Sequence, residues 1–266
     1  MSHILAIASR ELRSYFVSPV AYVVLTLWAV LSGTFFLTNV VAFQLTVEQA
    51  AQFGAYDRLA DLNLNDSLIA PFIGSMWVVQ LFLLPAITMG LFATERATGT
   101  IELLMTSPIT IWEIVTGKFL AAVGFALLMV AIVAFFPALL FFFGEPDVGK
   151  TLASLLGLFC VSVAYVAIGA FASSVTRNQL IAFIGTMVLL LVVGMMLPFL
   201  VDLTVGGVPG EVASPIAAAV GWVATAPHFE EMLRGVVDTK DLAYFAITTL
   251  GFLVLAKTAV ESARWR

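Results

Sequence analysis

Long apolar runs, separated by short polar breaks, set the pattern of this chain. Six of them stand out, at roughly 17–43, 69–93, 119–143, 151–175, 179–201 and 242–256. A helix needs about 20 apolar residues to cross a bilayer core, so each run is read as a membrane span. The last run is short, but Lys257 beyond it can snorkel and lengthen the span. Pro85, Pro137 and Pro198 fall within or near the ends of the second, third and fifth runs. Neighbouring helices or Ser/Thr side chains satisfy the carbonyls such prolines free. The first run is too long for a signal-peptide core of about 7–15 residues, so it is read as a retained span.

The polar breaks carry their own patterns. In residues 2–16, Ile4, Leu5, Ala8, Leu12, Tyr15 and Phe16 fall on one arc at helical spacing. His3, Arg10, Arg13 and Ser14 fall on the opposite arc, which predicts an amphipathic helix lying at the membrane interface. Between runs two and three, Glu95 and Arg96 close a helix and Gly99-Thr100 break it. Ile101, Leu103, Leu104 and Met105 then form a compact apolar ridge, stopped by Ser107-Pro108. Thr110, with Glu113 three residues on, predicts a capping box and a new helix start. A short transverse helix with an exposed apolar ridge suits a groove on a partner.

Between runs five and six, Ser214-Pro215 and Pro227 each open a helical candidate of about 10–11 residues, roughly 16 Å long. Neither can cross a bilayer, so both are expected as re-entrant or surface helices. His228, beside Phe229 and two glutamates, reads as a capping or packing residue rather than a catalytic one.

Composition sharpens this picture. The chain has 266 residues, 61% hydrophobic and 11% charged, with a mean hydropathy of +1.07. Soluble domains carry about 25% charged residues, so this is an integral membrane protein. Six spans put both termini on one side. That side holds eight of the twelve basic residues (Arg10, Arg13, Arg96, Lys118, Arg177, Lys257, Arg264 and Arg266). The positive-inside rule then places both termini in the cytoplasm. The six runs contain no Asp, Glu, Lys, Arg or His. Ion-coupled carriers usually place an ionisable group at membrane depth, so energy is expected to enter from outside the bilayer.

Several chemistries are missing. There is no phosphate-binding G-x-x-x-x-G-K-[ST] loop, no G-x-S-x-G elbow and no H-E-x-x-H helix. The single cysteine, Cys160, permits neither an internal disulfide nor a Cys/His cluster. No basic aromatic patch suggests nucleic acid. No catalytic, cofactor-binding or metal-binding residue is therefore assigned. Within the fourth run, Gly169/Ser173 and Ala170/Ser174 have the small-xxx-small spacing that permits close helix approach.

Three stretches resemble the membrane subunits of type-2 ABC transporters. They are Asn65-Asp66-Ser67-Leu68-Ile69; Glu95-Arg96 with Gly99-Thr100-Ile101-Glu102-Leu103-Leu104 and Gly117-Lys118; and Pro227-His228-Phe229 with Arg234-Gly235-Val236-Val237-Asp238. The likeness covers nearly the whole chain and is greatest to the gliding-motility permease subgroup. The nitrous-oxide-reductase copper-maturation permease is a more distant relation. The chain departs from the subgroup at Gly90 and Thr94, where basic and acidic residues are usual.

The resemblance implies an all-α membrane protein in the bacterial inner membrane. Segment 1–16 would be a connecting helix, with Arg10 and Arg13 on it. Residues 97–113 would be a coupling helix, with Glu95, Arg96, Gly99, Thr100, Glu102, Leu103, Leu104 and Pro108 serving ATPase coupling. Residues 202–241 would form an extracytoplasmic lid that includes Pro227, Phe229, Arg234 and Asp238. The implied partners are two ATPase subunits, which bind ATP and Mg2+, and a second permease, either the same chain or a related one with a large extracytoplasmic domain. Membrane lipid surrounds the assembly. The alternatives are a structural anchor of an envelope machine and, more remotely, an intramembrane enzyme.

Overall fold

The computed structural model describes residues 3–53, 62–100, 109–197, 199 and 221–262. Among the described residues there are helices and no strands. Helix α1 is His3–Val17 and α2 is Pro19–Gln52, capped by Ser18 with Pro19 at its first position. A π-helical turn, Asn65–Ile69, leads into α3, Ala70–Thr88, followed by α4, Gly90–Thr98. Next come α5, Ile111–Leu140, α6, Val148–Val175, and α7, Gln179–Leu191, which continues through a π-helical turn at Val192–Met196. The last two are α8, Thr225–Leu233, and α9, Thr239–Ser262.

Six helical stretches are long and apolar enough to cross a membrane. They are Pro19–Gln52, Asn65–Thr98, Ile111–Leu140, Val148–Val175, Gln179–Met196 and Thr239–Ser262. The first runs well past the apolar stretch that ends at Phe43. Its 34 residues span about 51 Å, against a hydrocarbon core of about 30 Å. The excess carries Gln44, Gln49 and Glu48, so the helix emerges from the apolar zone without breaking.

Helix α6 is the hub, packing on α3, α4, α5, α7, α8 and α9. Its inward positions are mostly small: Ser154, Gly157, Ser162, Ala164, Ala167, Gly169, Ala170, Ser173 and Ser174 are all buried. Lipid tails are as apolar as leucine, so helices in a membrane associate through close packing rather than through water exclusion. Short side chains give α6 that closeness on several sides at once. At Gly157, an added methyl would press on Met232 of α8 at 2.9 Å. At Gly169 it would strike Thr88 of α3.

The α3–α4 break shows how the small pair Gly169/Ser173 is used. Pro85 lies inside α3 and has no N–H for the helical ladder. The helical ladder is interrupted at Met89, where the Ser173 hydroxyl inserts. It accepts from the N–H groups of Phe92 and Ala93, at 3.0 and 3.1 Å, and donates to the Met89 carbonyl at 2.8 Å. One serine thereby satisfies three backbone groups in an apolar medium.

At one end of the bundle, Ile7 packs on Gly117 and Arg96 reaches Ala259. This terminal face thus gathers α1, the end of α4, the start of α5 and the end of α9. At the far face, Asn65 is buried and donates to the Asp147 carbonyl and the Thr151 hydroxyl, both at 3.0 Å. It also accepts from Asp147 N at 2.7 Å, tying the start of α3 to the start of α6.

Candidate functional site: the charged junction at the foot of the α4–α5 connection

Residues 101–108, and with them Glu102, Leu103, Leu104 and Pro108, lie outside the described residues. The two ends of the connection are well defined. Helix α4 ends at Gly99, whose φ of +74° is the left-handed conformation that glycine adopts at least cost. Thr98 and Thr100 bring their hydroxyls to 3.0 Å across it. Helix α5 starts with the expected capping box: Thr110 Oγ1 accepts from Glu113 N at 3.3 Å, and Glu113 Oε2 accepts from Thr110 N at 2.8 Å. Thr110→Ala is expected to cost about 1 kcal/mol. Hydrogen exchange should show the loss as faster exchange in the first turn of α5, with the far face unchanged.

Below this connection lies an ion cluster that the sequence reading did not assign. Lys118 sits one residue before the apolar run 119–143, yet its side chain is only 3% exposed. Its Nζ lies 2.8 Å from Glu95 of α4 and 3.3 Å from Glu11 of α1. Arg10 pairs with the same Glu11 oxygen at 2.9 Å, so the two cations and two carboxylates sum to zero. The ring of Phe92 lies 5.7 Å from the ammonium. Burying a pair of charges adds little net stability, but it punishes any arrangement that separates them. The cluster therefore specifies how α1, α4 and α5 meet.

The same cluster corrects the expected face of α1. Leu5 is 54% exposed, whereas Ile7 is buried against Gly117. The buried stripe is turned toward Ile7 and Glu11, because Glu11 must face Lys118. Tyr15 and Phe16 do pack inward, against Phe125. Burial, reinforced by Glu11, raises the Tyr15 phenol above its ordinary value and keeps it neutral. Arg10 and Arg13 are exposed, as the amphipathic pattern requires.

Arg96 points to a third element, donating to the Ala259 carbonyl of α9 at 2.7 Å. Thr94 meets Gln179 at the start of α7, at 2.6 Å. The nine-residue α4 is thus tied to α1 and α5 by ions, to α6 by Ser173, and to α7 and α9 by hydrogen bonds. Beside it, Ile109, Thr110, Trp112, Ile114, Lys257 and Glu261 line a cavity of about 280 Å3 between α5 and the end of α9. A force on the connection is shared among most of the bundle.

The expected lid falls partly within the described residues. The candidate helix opened by Ser214-Pro215 lies mostly outside them. The second candidate begins at Thr225, two residues before Pro227, and ends at Leu233, short of Asp238. One face of it is buried and the other, with Pro227 and Glu230, is exposed. Phe229 and Met232 are fully buried, and Phe229 packs on Trp77 with ring centroids 5.4 Å apart. Pro227 and Arg234 are exposed, and Asp238 accepts from Lys240 N at 3.2 Å. Asp241, one residue before the run 242–256, is fully buried. Both Lys118 and Asp241 thus lie a single position outside runs that contain no charge, where sequence alone suggests exposure. Among the described residues, no three His, Cys, Asp or Glu side chains are placed to hold a metal ion.

A family model described as ABC-2 family transporter protein matches residues 5–260, nearly the whole chain. No curated protein matches the sequence.

Proposed function

The chain belongs to the ABC-2 family of transporter proteins, and we propose that it serves in an ATP-driven assembly that exports a substrate or transmits force across a bacterial inner membrane. As a family member it is the permease subunit, a multi-pass membrane component that associates with a separate ATPase. In the proposed assembly two ATPase subunits engage the terminal face, which is cytoplasmic. Residues 97–113 form the coupling segment and α1 the connecting helix. A second permease, either this chain or a gliding-subgroup relative, completes the pathway. ATP and Mg2+ belong to the ATPase subunits.

The charged junction is the observation that carries this reading. Helix α4 leads into the coupling segment and is bonded to α5, α6, α7 and α9, and through Lys118 it is linked to α1. A motor pushing there acts on several helices of the bundle at once, as helix shifts in a switching transition require. The excess of basic residues on that face supports its cytoplasmic placement.

The test is purification of the tagged chain in mild detergent, with mass spectrometry and an ATPase assay. A co-purifying ATPase is expected, and Glu102→Lys should lower its activity at least several-fold. An ATPase-free oligomer, in detergents that preserve comparable complexes, would overturn the reading in favour of a structural anchor.

A further inference from the structure

The far face holds a second buried polar cluster, which joins α9 to α8 and to the residues just before α8. His228 of α8 is 6% exposed. Its Nδ1 lies 2.7 Å from Asp241 Oδ1 in the first turn of α9, and its Nε2 lies 3.3 Å from the Trp222 carbonyl. The imidazole stacks on Tyr244 of α9, with centroids 4.2 Å apart and planes 15° from parallel. Tyr244 in turn donates to the Val223 carbonyl at 2.8 Å and meets the Thr225 hydroxyl at 3.1 Å. Outside this core, Lys240 pairs with Glu231 at 2.8 Å, again joining α9 to α8.

Helix α9 is gripped at its other end as well, where Arg96 holds the Ala259 carbonyl at 2.7 Å. Asp241 and Ala259 are 18 residues apart, about 27 Å along a helix. No proline or π-turn interrupts α9 between them, so a displacement along its axis is passed on rather than absorbed in a kink. Its packing on α6 is the most extensive between any two helices described. That contact keeps the rod laterally confined.

We infer that α9 is a rod connecting the charged junction to helix α8, and that the His228–Asp241 pair is its far-face joint. His228 and Asp241 are positioning residues: they bind no cargo but make α8 follow α9. The inference rests on the reading of the terminal face as the place where the ATPase acts. A buried carboxylate is costly to keep. Phe229 and Met232 pack on Trp77 and Gly157, and the Ser154 hydroxyl of α6 lies 3.2 Å from the Leu233 carbonyl, so α8 is held on the bundle without it. The pair supplies direction, because a short hydrogen bond between two fixed side chains resists separation as well as compression.

The experiment uses the purified complex with its ATPase in nanodiscs, with Cys160 replaced by serine. Spin labels at Glu230→Cys and Val148→Cys report α8 against α6 at the far face. Labels at Ala97→Cys and Leu180→Cys report α4 against α7 at the terminal face. Both distances should change on ATP binding. In the double variant His228→Gln/Asp241→Asn, which removes both partners so that neither is left buried and charged, the terminal-face change should persist. The far-face change should fall to less than a third. The exchange His228→Asp/Asp241→His should restore it in large part. If the double variant does not assemble, Asp241→Glu, which keeps the charge but displaces it, is read the same way.

A far-face change that persists at full amplitude without the pair overturns the joint while leaving the coupling reading intact. Absence of any ATP response at the terminal face of the unmodified complex overturns both.

Discussion

Lys118→Met is expected to destabilise the protein by about 3 kcal/mol, the range for removing one partner of a buried ion pair, and to uncouple the terminal face from the bundle. The substitution keeps the apolar stem and removes only the ammonium. Glu95, 17% exposed at the side chain, then loses its cation, and Glu11, equally buried, keeps only the exposed Arg10. One Glu95 oxygen already lacks a hydrogen-bond partner among the described residues, so no nearby donor stands ready to compensate. Thermal unfolding in detergent measures the loss.

The cause is separable from packing. The triple variant Lys118→Met/Glu11→Gln/Glu95→Gln discards every charge in the trio and should recover most of the stability, since apolar or neutral replacement of a whole buried cluster is often tolerated. It should not recover ATPase coupling, because the ions that orient α4 against α1 are gone. Recovery of both would mean that the cluster has no part in coupling.

Gly169→Leu is expected to prevent assembly of the bundle, and Gly169→Ala to cost about 1–3 kcal/mol through overpacking. A methyl at Gly169 would lie 2.5 Å from Thr88 Cβ and closer still to its hydroxyl. Thr88 is β-branched, fully buried and bonded to the Leu84 carbonyl at 3.0 Å, so it has no free rotamer to retreat into. The clash pushes α3 from α6 beside the break that Ser173 must reach. Once the serine is displaced, the N–H groups of Phe92 and Ala93 lose their acceptor inside the membrane. Pairing Gly169→Ala with Thr88→Gly should return part of the lost thermostability. An unchanged melting point in Gly169→Ala alone would refute the tight contact.

Several site features could be read without a fold because each depends on residues close in sequence. The Thr110–Glu113 box closes over three positions, and Gly99 ends a helix through its own backbone. The amphipathic nature of α1 was likewise legible from spacing. Its exact face was not: Ile7 replaces Leu5 inside because Glu11 answers a lysine more than a hundred residues away. The same distance hid Ser173. Its spacing from Gly169 marked a packing seam, but nothing in the local sequence indicates that its hydroxyl completes the ladder of another helix.

By itself, the sequence determined that this is a helical membrane protein of six spans with polar, punctuated connections, because burying apolar runs and satisfying backbone groups in lipid leaves few other solutions. Only the tertiary structure decided which polar groups at the span ends would be hidden. Lys118 and Asp241 border runs without charge, and each is buried because a partner on another helix arrives to meet it. The energy of a charge at a membrane edge depends on what lies within a few ångströms across the fold. Neighbours along the chain do not reveal that.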